Sequence, residues 1–258
     1  MRVCCHRLLV VIVAALIPAC FTPVPREDWP EKDDPLFAYA VWIHTRGTWG
    51  SGVLTHSSGR GTYVLTAAHV ACDDDGYVHA DGKIEVGVWA QSHASSLREP
   101  YATYQADVVA ATAPWAPTIE DPDAGLSAMA DWIRGVDLAV LRLRTNRRFA
   151  AAPLYTGTPD GIRDVPVAVV AVAPKMFPHR KPALYMGEHF FCTDSTDGNS
   201  GSPIFADGQV VGLCTSHFLS PGPRQLHEFM RAHEEIRFLL EAESRSTAGL
   251  ETTGSQPR

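Results

Sequence analysis

From Phe37 onward the chain alternates between short apolar runs and polar, glycine-rich breaks. Phe37-Ala38-Tyr39-Ala40-Val41-Trp42-Ile43, Trp49-Gly50-Ser51-Gly52-Val53-Leu54 and Thr62-Tyr63-Val64-Leu65-Thr66 are rich in β-branched and aromatic residues. Ser57-Ser58-Gly59-Arg60-Gly61, a turn composition, splits the last two. Runs of this kind predict antiparallel β-strands. The same signal recurs at 83–89, 104–110 and 138–143, and again at 165–172, 183–193, 203–205 and 209–215. An Ala/Pro/Asp-rich stretch at 111–131 interrupts the first set and reads as a surface insertion. No helix-period segment separates the strands, which disfavours a parallel α/β fold. The pattern predicts an all-β chain of two antiparallel β-barrels. The period changes only near the end. Leu226, Phe229, Met230, His233, Ile236 and Leu240 fall near one helical face, predicting a C-terminal helix that packs on the second barrel.

The first residues follow another logic. Arg2 and Arg7 flank a positive start, and Leu8 to Ile17 is unbroken apolar sequence. This predicts an export signal, shorter than the roughly 20 residues of a membrane-spanning helix. Ile17-Pro18-Ala19-Cys20 resembles the bacterial lipobox, whose cysteine becomes the lipidated first residue; Pro18 departs from the usual small or aliphatic residue. Lipidation of Cys20, with attachment to a membrane, is the expectation. Simple secretion is the rival, but Ile17 is bulky where ordinary signal cleavage prefers a small side chain. Four prolines among charges follow, an extended tether. The expected boundaries are signal 1–20, tether 21–36, first barrel 37–148, second barrel 149–222, helix 223–243 and polar, mobile tail 244–258.

Composition narrows the function. With 258 residues, 45% of them hydrophobic, the chain can bury one large core or two smaller ones. The formal net charge is −7 and no basic block is present, so nucleic acid has no electrostatic footprint here. Of the cysteines, Cys4 and Cys5 lie in the signal and Cys20 is the candidate anchor, leaving Cys72, Cys192 and Cys214. An odd number cannot all pair within one chain. Either Cys192 bridges Cys214, or all three are buried thiols.

Three strings carry the chemistry: Thr66-Ala67-Ala68-His69, Asp137-Leu138-Ala139-Val140 and Gly198-Asn199-Ser200-Gly201-Ser202-Pro203. A serine hydroxyl is a poor nucleophile at neutral pH and needs an adjacent base, for which imidazole is matched to the working pH. A buried carboxylate then fixes the imidazole tautomer and stabilises the imidazolium. Any one string is weak, because a lone His more often packs or caps, an Asp more often ends a turn, and Gly-Asn-Ser-Gly is an ordinary turn. The third string is not a hydrolase elbow: it lacks the final glycine of Gly-x-Ser-x-Gly, and that fold orders its triad Ser, Asp, His.

Together and in this order, over roughly residues 37 to 217, the strings resemble chymotrypsin-like (trypsin-like) serine proteases. The likeness is closest to the bacterial branch with glutamyl endopeptidases and HtrA-like proteases. The resemblance implies two Greek-key β-barrels, no metal or organic cofactor, and a protein or peptide substrate. It assigns His69 as general base and acid, Asp137 as orienting carboxylate and Ser200 as nucleophile. It makes the N–H groups of Gly198 and Ser200 the oxyanion hole, with Gly198 supplying the dihedrals such a turn needs. Digestive members carry an Asp before the serine, buried against a cleavage-generated ammonium. Here Asn199 stands there, a neutral amide that needs hydrogen bonds but no counter-charge.

The resemblance also places the substrate pocket at Asp194, Ser195, Thr215 and His217. Asp194 has the spacing of the pocket carboxylate of trypsin-like members, which favours Arg or Lys; the alternative is that it ties down a loop. Glutamyl endopeptidases carry a recognition histidine after Gly-Ile, where this chain has Cys214 after Gly212-Leu213, which argues against strict Glu preference. His217 either narrows the pocket or restores acid recognition. Other clusters are bland: His227-Glu228 and His233-Glu234-Glu235 lack zinc spacing, and Asp73-Asp74-Asp75-Gly76 lacks a full EF-hand loop. The six tryptophans read as core or loop anchors. The leading expectation is an exported serine endopeptidase. A non-catalytic binding module on the same fold is the runner-up, and an esterase using the same residues comes third.

Overall fold

A computed structural model of the protein describes residues 35–45, 48–72, 83–88, 102–112, 137–163, 167–172, 179–192, 198–215 and 220–240. The expected export signal with Cys20, the expected tether to residue 34, the expected insertion beyond Thr112, the expected tail and residues 73–76 lie outside the described residues. So do Trp29, Trp89, Trp115 and Trp132.

The first apolar set forms β1 (Ala40–His44), β2 (Trp49–Ser58), β3 (Gly61–Thr66), β4 (Ile84–Val88), β5 (Ala102–Ala111) and β6 (Ala139–Leu143). They close an antiparallel barrel in the order β1-β2-β3-β6-β5-β4, with β1 paired to both β2 and β4. The second set is β7 (Val167–Ala171), β8 (His179–Tyr185), β9 (His189–Cys192), β10 (Ser202–Ala206), β11 (Gln209–Cys214) and β12 (Ser220–Pro221). Its order is β11-β10-β7-β8-β9-β12, and its ends meet where the Thr215 N–H donates to Ser220 Oγ at 3.1 Å. Taken around the ring from β7 this is β7-β8-β9-β12-β11-β10, the same Greek-key order as the first barrel. The chain is thus the all-β, two-barrel protein its pattern predicts.

Why several strands look apolar throughout is visible in where alternate residues go. On β2, β3 and β6, Leu54, Val64 and Leu141 point into the first barrel. Their neighbours Val53, Leu65 and Val140 point outward, into a second cluster shared with Val170, Phe205, Val210 and Leu213 of the other barrel. The second barrel repeats this, with Val169, Ile204, Val211 and Cys214 inside. The period is 2 except where a bulge interrupts it, as on β11 between Val210 and Gly212, but both faces of these strands are dry, so no polar alternation is left to read. The connector after β6 stitches the halves together. Ala152 N–H donates to Leu54 O at 2.8 Å, and Tyr155 N–H donates to Val210 O at 2.9 Å.

Two expectations need correction. The run 183–193 is not one strand: it folds as the hairpin β8–β9, turning at Gly187, whose φ of +86° is open to glycine at no steric cost. The single helix expected over 223–243 is two pieces, the helix α2 (Pro223–Ala232; α1 is the single turn Ala68–Ala71) and a 3-10 segment, Glu234–Leu240. His233 is extended at the break, and its ring Nδ1–H donates to the Phe229 carbonyl at 2.9 Å, replacing a helical backbone bond. Both pieces still bury Leu226, Phe229, Met230, Ile236 and Leu239 in the inter-barrel cluster. Among the described residues no helix is long and apolar enough to cross a membrane.

Candidate active site

The register of β3 with β6 places Thr66 opposite Ala139. The chain leaving β3 and the chain entering β6 therefore emerge at the same barrel edge. One helical turn, α1 (Ala68–Ala71), follows β3 and carries His69; Asp137 lies two residues before β6. The His69 ring Nδ1 is 2.5 Å from Asp137 Oδ2, and the His69 backbone N–H donates to Oδ1 at 3.0 Å. A carboxylate only accepts, so Nδ1 carries the proton of this bond, which in a neutral ring leaves the lone pair on Nε2. The Asp137 side chain is 8% exposed against 26% for His69, which puts the carboxylate in the drier position and the imidazole toward solvent.

Ser200 lies in the turn between β9 and β10. Gly198 (φ +95°) and Gly201 (φ +83°) flank it in the left-handed region, and the Ser202 N–H donates to Asn199 O at 2.9 Å. The turn leans on the first barrel. The Ser200 carbonyl accepts the Ser51 N–H at 2.8 Å. A Cβ on Gly50 would stand 2.7 Å from that carbonyl and 2.7 Å from Val70 Cγ2. A Cβ on Gly201 would collide with Ser51 O and Thr66 Oγ1, and would stand 3.0 Å from Ala67 N. Residues on both sides of His69, namely Ala67 and Val70, thus border residues at and beside Ser200. The Ser200 turn and the segment that carries His69 lie at one junction between the barrels.

Sequence reasoning missed Ser51. Its hydroxyl donates to the Gly198 carbonyl at 3.1 Å and accepts the Val172 N–H at 3.2 Å, while its carbonyl accepts Thr66 Oγ1 at 2.7 Å. The available signal was a serine between two glycines within a strand, which marks close backbone approach. Asn199 is buried, but its Oδ1 has no hydrogen-bond partner among the described residues, where the expectation was a hydrogen-bonded amide.

Of the pocket residues, Asp194, Ser195 and His217 lie outside the described residues. Thr215 is buried beside Ser220. Cys192 and Cys214 are buried free thiols rather than a disulfide. The Cys214 thiol is pushed well above its usual range, first by its hydrogen bond with Cys192 and then by burial, partly offset by the Ser220 hydroxyl. The His227 Nε2–H donates to Tyr155 O at 2.6 Å, so this histidine has a structural partner. No group of three or more metal-binding side chains gathers among the described residues.

A model of the trypsin-like peptidase domain matches residues 50–213, well over half the chain and spanning His69, Asp137 and Ser200. The chain belongs to that family. This trypsin-like peptidase domain has no match among curated proteins. Among solved structures it is similar to the serine endoprotease from Yersinia pestis, with 18% identity and a TM-score of 0.50 over 86% of this chain and 68% of that one. At that identity the likeness speaks for the fold. The Rv3671c protease in its inactive form aligns at 17% identity and a TM-score of 0.47, over 83% of this chain and 98% of that chain.

Proposed function

We propose that the protein is a serine endopeptidase acting through an acyl-enzyme. In this reading Ser200 is the nucleophile, His69 the general base and acid, and Asp137 the carboxylate that orients the ring. The observation that carries it is the doubly hydrogen-bonded His69–Asp137 pair beside the Ser200 turn. As Ser200 Oγ attacks the peptide carbonyl carbon, its proton passes to His69 Nε2. The imidazolium that forms is stabilised by Asp137. The carbonyl oxygen becomes an oxyanion bonded by the Gly198 and Ser200 N–H groups, each donor worth about 3 kcal/mol of barrier. The C–N bond then breaks and the amine leaves with the proton from Nε2. Water repeats the sequence on the acyl-enzyme and restores the hydroxyl.

Export through residues 1–20 and a lipid on Cys20 belong to the same proposal, supported by the sequence pattern alone. The test is a peptide library incubated with the full chain and with Ser200→Ala. Cleavage by the first and not the second supports the reading, and the cut sites give the preferred residue. Intact peptides in both arms reject it in favour of a binding module.

A further inference from the structure

Resting on the protease reading above, we infer that Ser51 is a positioning residue whose hydroxyl holds the oxyanion turn in its working shape. Three facts converge on it. Ser51 is wholly buried on β2 of the first barrel, yet among the described residues its hydroxyl bonds only to the second. One proton and the lone pairs are used in opposite senses: Oγ–H donates to the Gly198 carbonyl, and Oγ accepts the Val172 N–H just beyond β7. The Ser51 backbone N–H takes the Ser200 carbonyl at 2.8 Å.

The placement of those two carbonyls matters. The Gly198 carbonyl belongs to the peptide that lies between the two proposed oxyanion donors. The Ser200 carbonyl belongs to the peptide on the far side of the nucleophile. Ser51 therefore grips the chain on both flanks of the Ser200 N–H. The other end of the grip reaches the end of β3, since the Ser51 carbonyl accepts the hydroxyl of Thr66, three residues before His69. Gly50 and Gly201 leave no room for a side chain on either side, so backbone and small hydroxyl groups meet closely where the Ser200 turn leans on β2. Gly198 at φ +95° has wide conformational freedom, and a carbonyl held at 3.1 Å by a buried donor restricts its peptide.

Ser51→Ala keeps every backbone bond and removes the hydroxyl alone. It also leaves the Val172 N–H and the Gly198 carbonyl without this partner, so some loss of stability is expected whatever the role. The discriminating measurement is saturation kinetics of inactivation of the full-length protein by an alkyl fluorophosphonate. This reagent builds charge on a phosphoryl oxygen as Ser200 Oγ displaces fluoride. We expect kinact to fall roughly ten- to hundredfold, the scale of a misplaced catalytic group, with KI within about threefold of wild type. Val53→Ala, on the same strand and equally buried, should lower stability without lowering kinact. If Ser51→Ala does not fold, Ser51→Cys, a weaker donor of similar shape, should show the same selective loss of kinact. Wild-type kinact in a folded Ser51 variant, or an equal loss in Val53→Ala, overturns the positioning role while the protease reading stands. A folded wild type that forms no adduct overturns both.

Discussion

Gly201 and Gly208 offer a matched pair for testing whether the Ser200 turn is clamped. Both have positive φ, +83° and +75°, so alanine at either position meets the same left-handed penalty of about 1–2 kcal/mol. They differ in space. A Cβ on Gly208 meets nothing within 4 Å, whereas one on Gly201 collides with Ser51 O and Thr66 Oγ1 and stands 3.0 Å from Ala67 N. Two of those atoms are strand or loop backbone and cannot swing aside, so the turn itself must retreat by about 1 Å to reach ordinary contact distance. Overpacking of that kind adds about 1–3 kcal/mol. Gly208→Ala should therefore lower Tm by only a few degrees and leave activity near wild type. Gly201→Ala should lower Tm about twice as far and cut the second-order rate of fluorophosphonate labelling by about 100-fold, the usual loss for a misplacement of about 1 Å. Thermal unfolding and labelling kinetics on the two variants decide it. If Gly201→Ala labels within about threefold of Gly208→Ala, the steric argument for a fixed nucleophile turn is wrong.

Three further outcomes follow from the same contacts. Asp137→Asn should fold, because the amide oxygen still accepts the His69 backbone N–H, but its NH₂ opposes the ring proton and reverses the tautomer; peptide cleavage should fall by a factor of the order of 10⁴. His56, packed between Tyr63 and Phe238, has its pKa lowered by burial first and by Arg60 second. The folded state then binds fewer protons than the unfolded one, so its contribution is present above the ordinary histidine pKa of 6.5 and is lost as pH falls through the lower folded value. Tm measured from pH 7 to pH 5 should drop less steeply in His56→Gln than in wild type, and identical slopes would remove His56 from the account. In cells that process lipoproteins, radiolabelled palmitate should enter wild type and not Cys20→Ser; label in both, or in neither, would refute lipidation at Cys20.

The sequence made the fold and the candidate site legible for one reason: their signals are local. Thr66-Ala67-Ala68-His69 sits where a strand ends, and Gly198-Asn199-Ser200-Gly201 carries its own left-handed glycines, so each string announces its turn without a partner. Ser51 escaped because its meaning is non-local: Gly198, which it bonds, is 147 positions away, and nothing around Ser51 distinguishes a clamp from a weak strand. The β8–β9 hairpin was hidden inside one run because Ala183 to Tyr185 and His189 to Cys192 have similar texture, and only Gly187 marks the reversal. The late helix kept its apolar period through His233, but periodicity does not register a histidine ring taking the place of a backbone donor. The continuous apolar character of β2 and β3 was a clue to burial on both faces, since Val53 and Leu65 serve the inter-barrel cluster while Leu54 and Val64 fill the barrel.

The most direct trial of the central claim is the intact mass of the folded, full-length protein after treatment with a fluorophosphonate, followed by mapping of the modified peptide. The account predicts a single adduct on Ser200, absent from Ser200→Ala and formed at least about 10³-fold more slowly in His69→Ala. No adduct on the folded wild type, or one that forms equally fast without the imidazole, would contradict it.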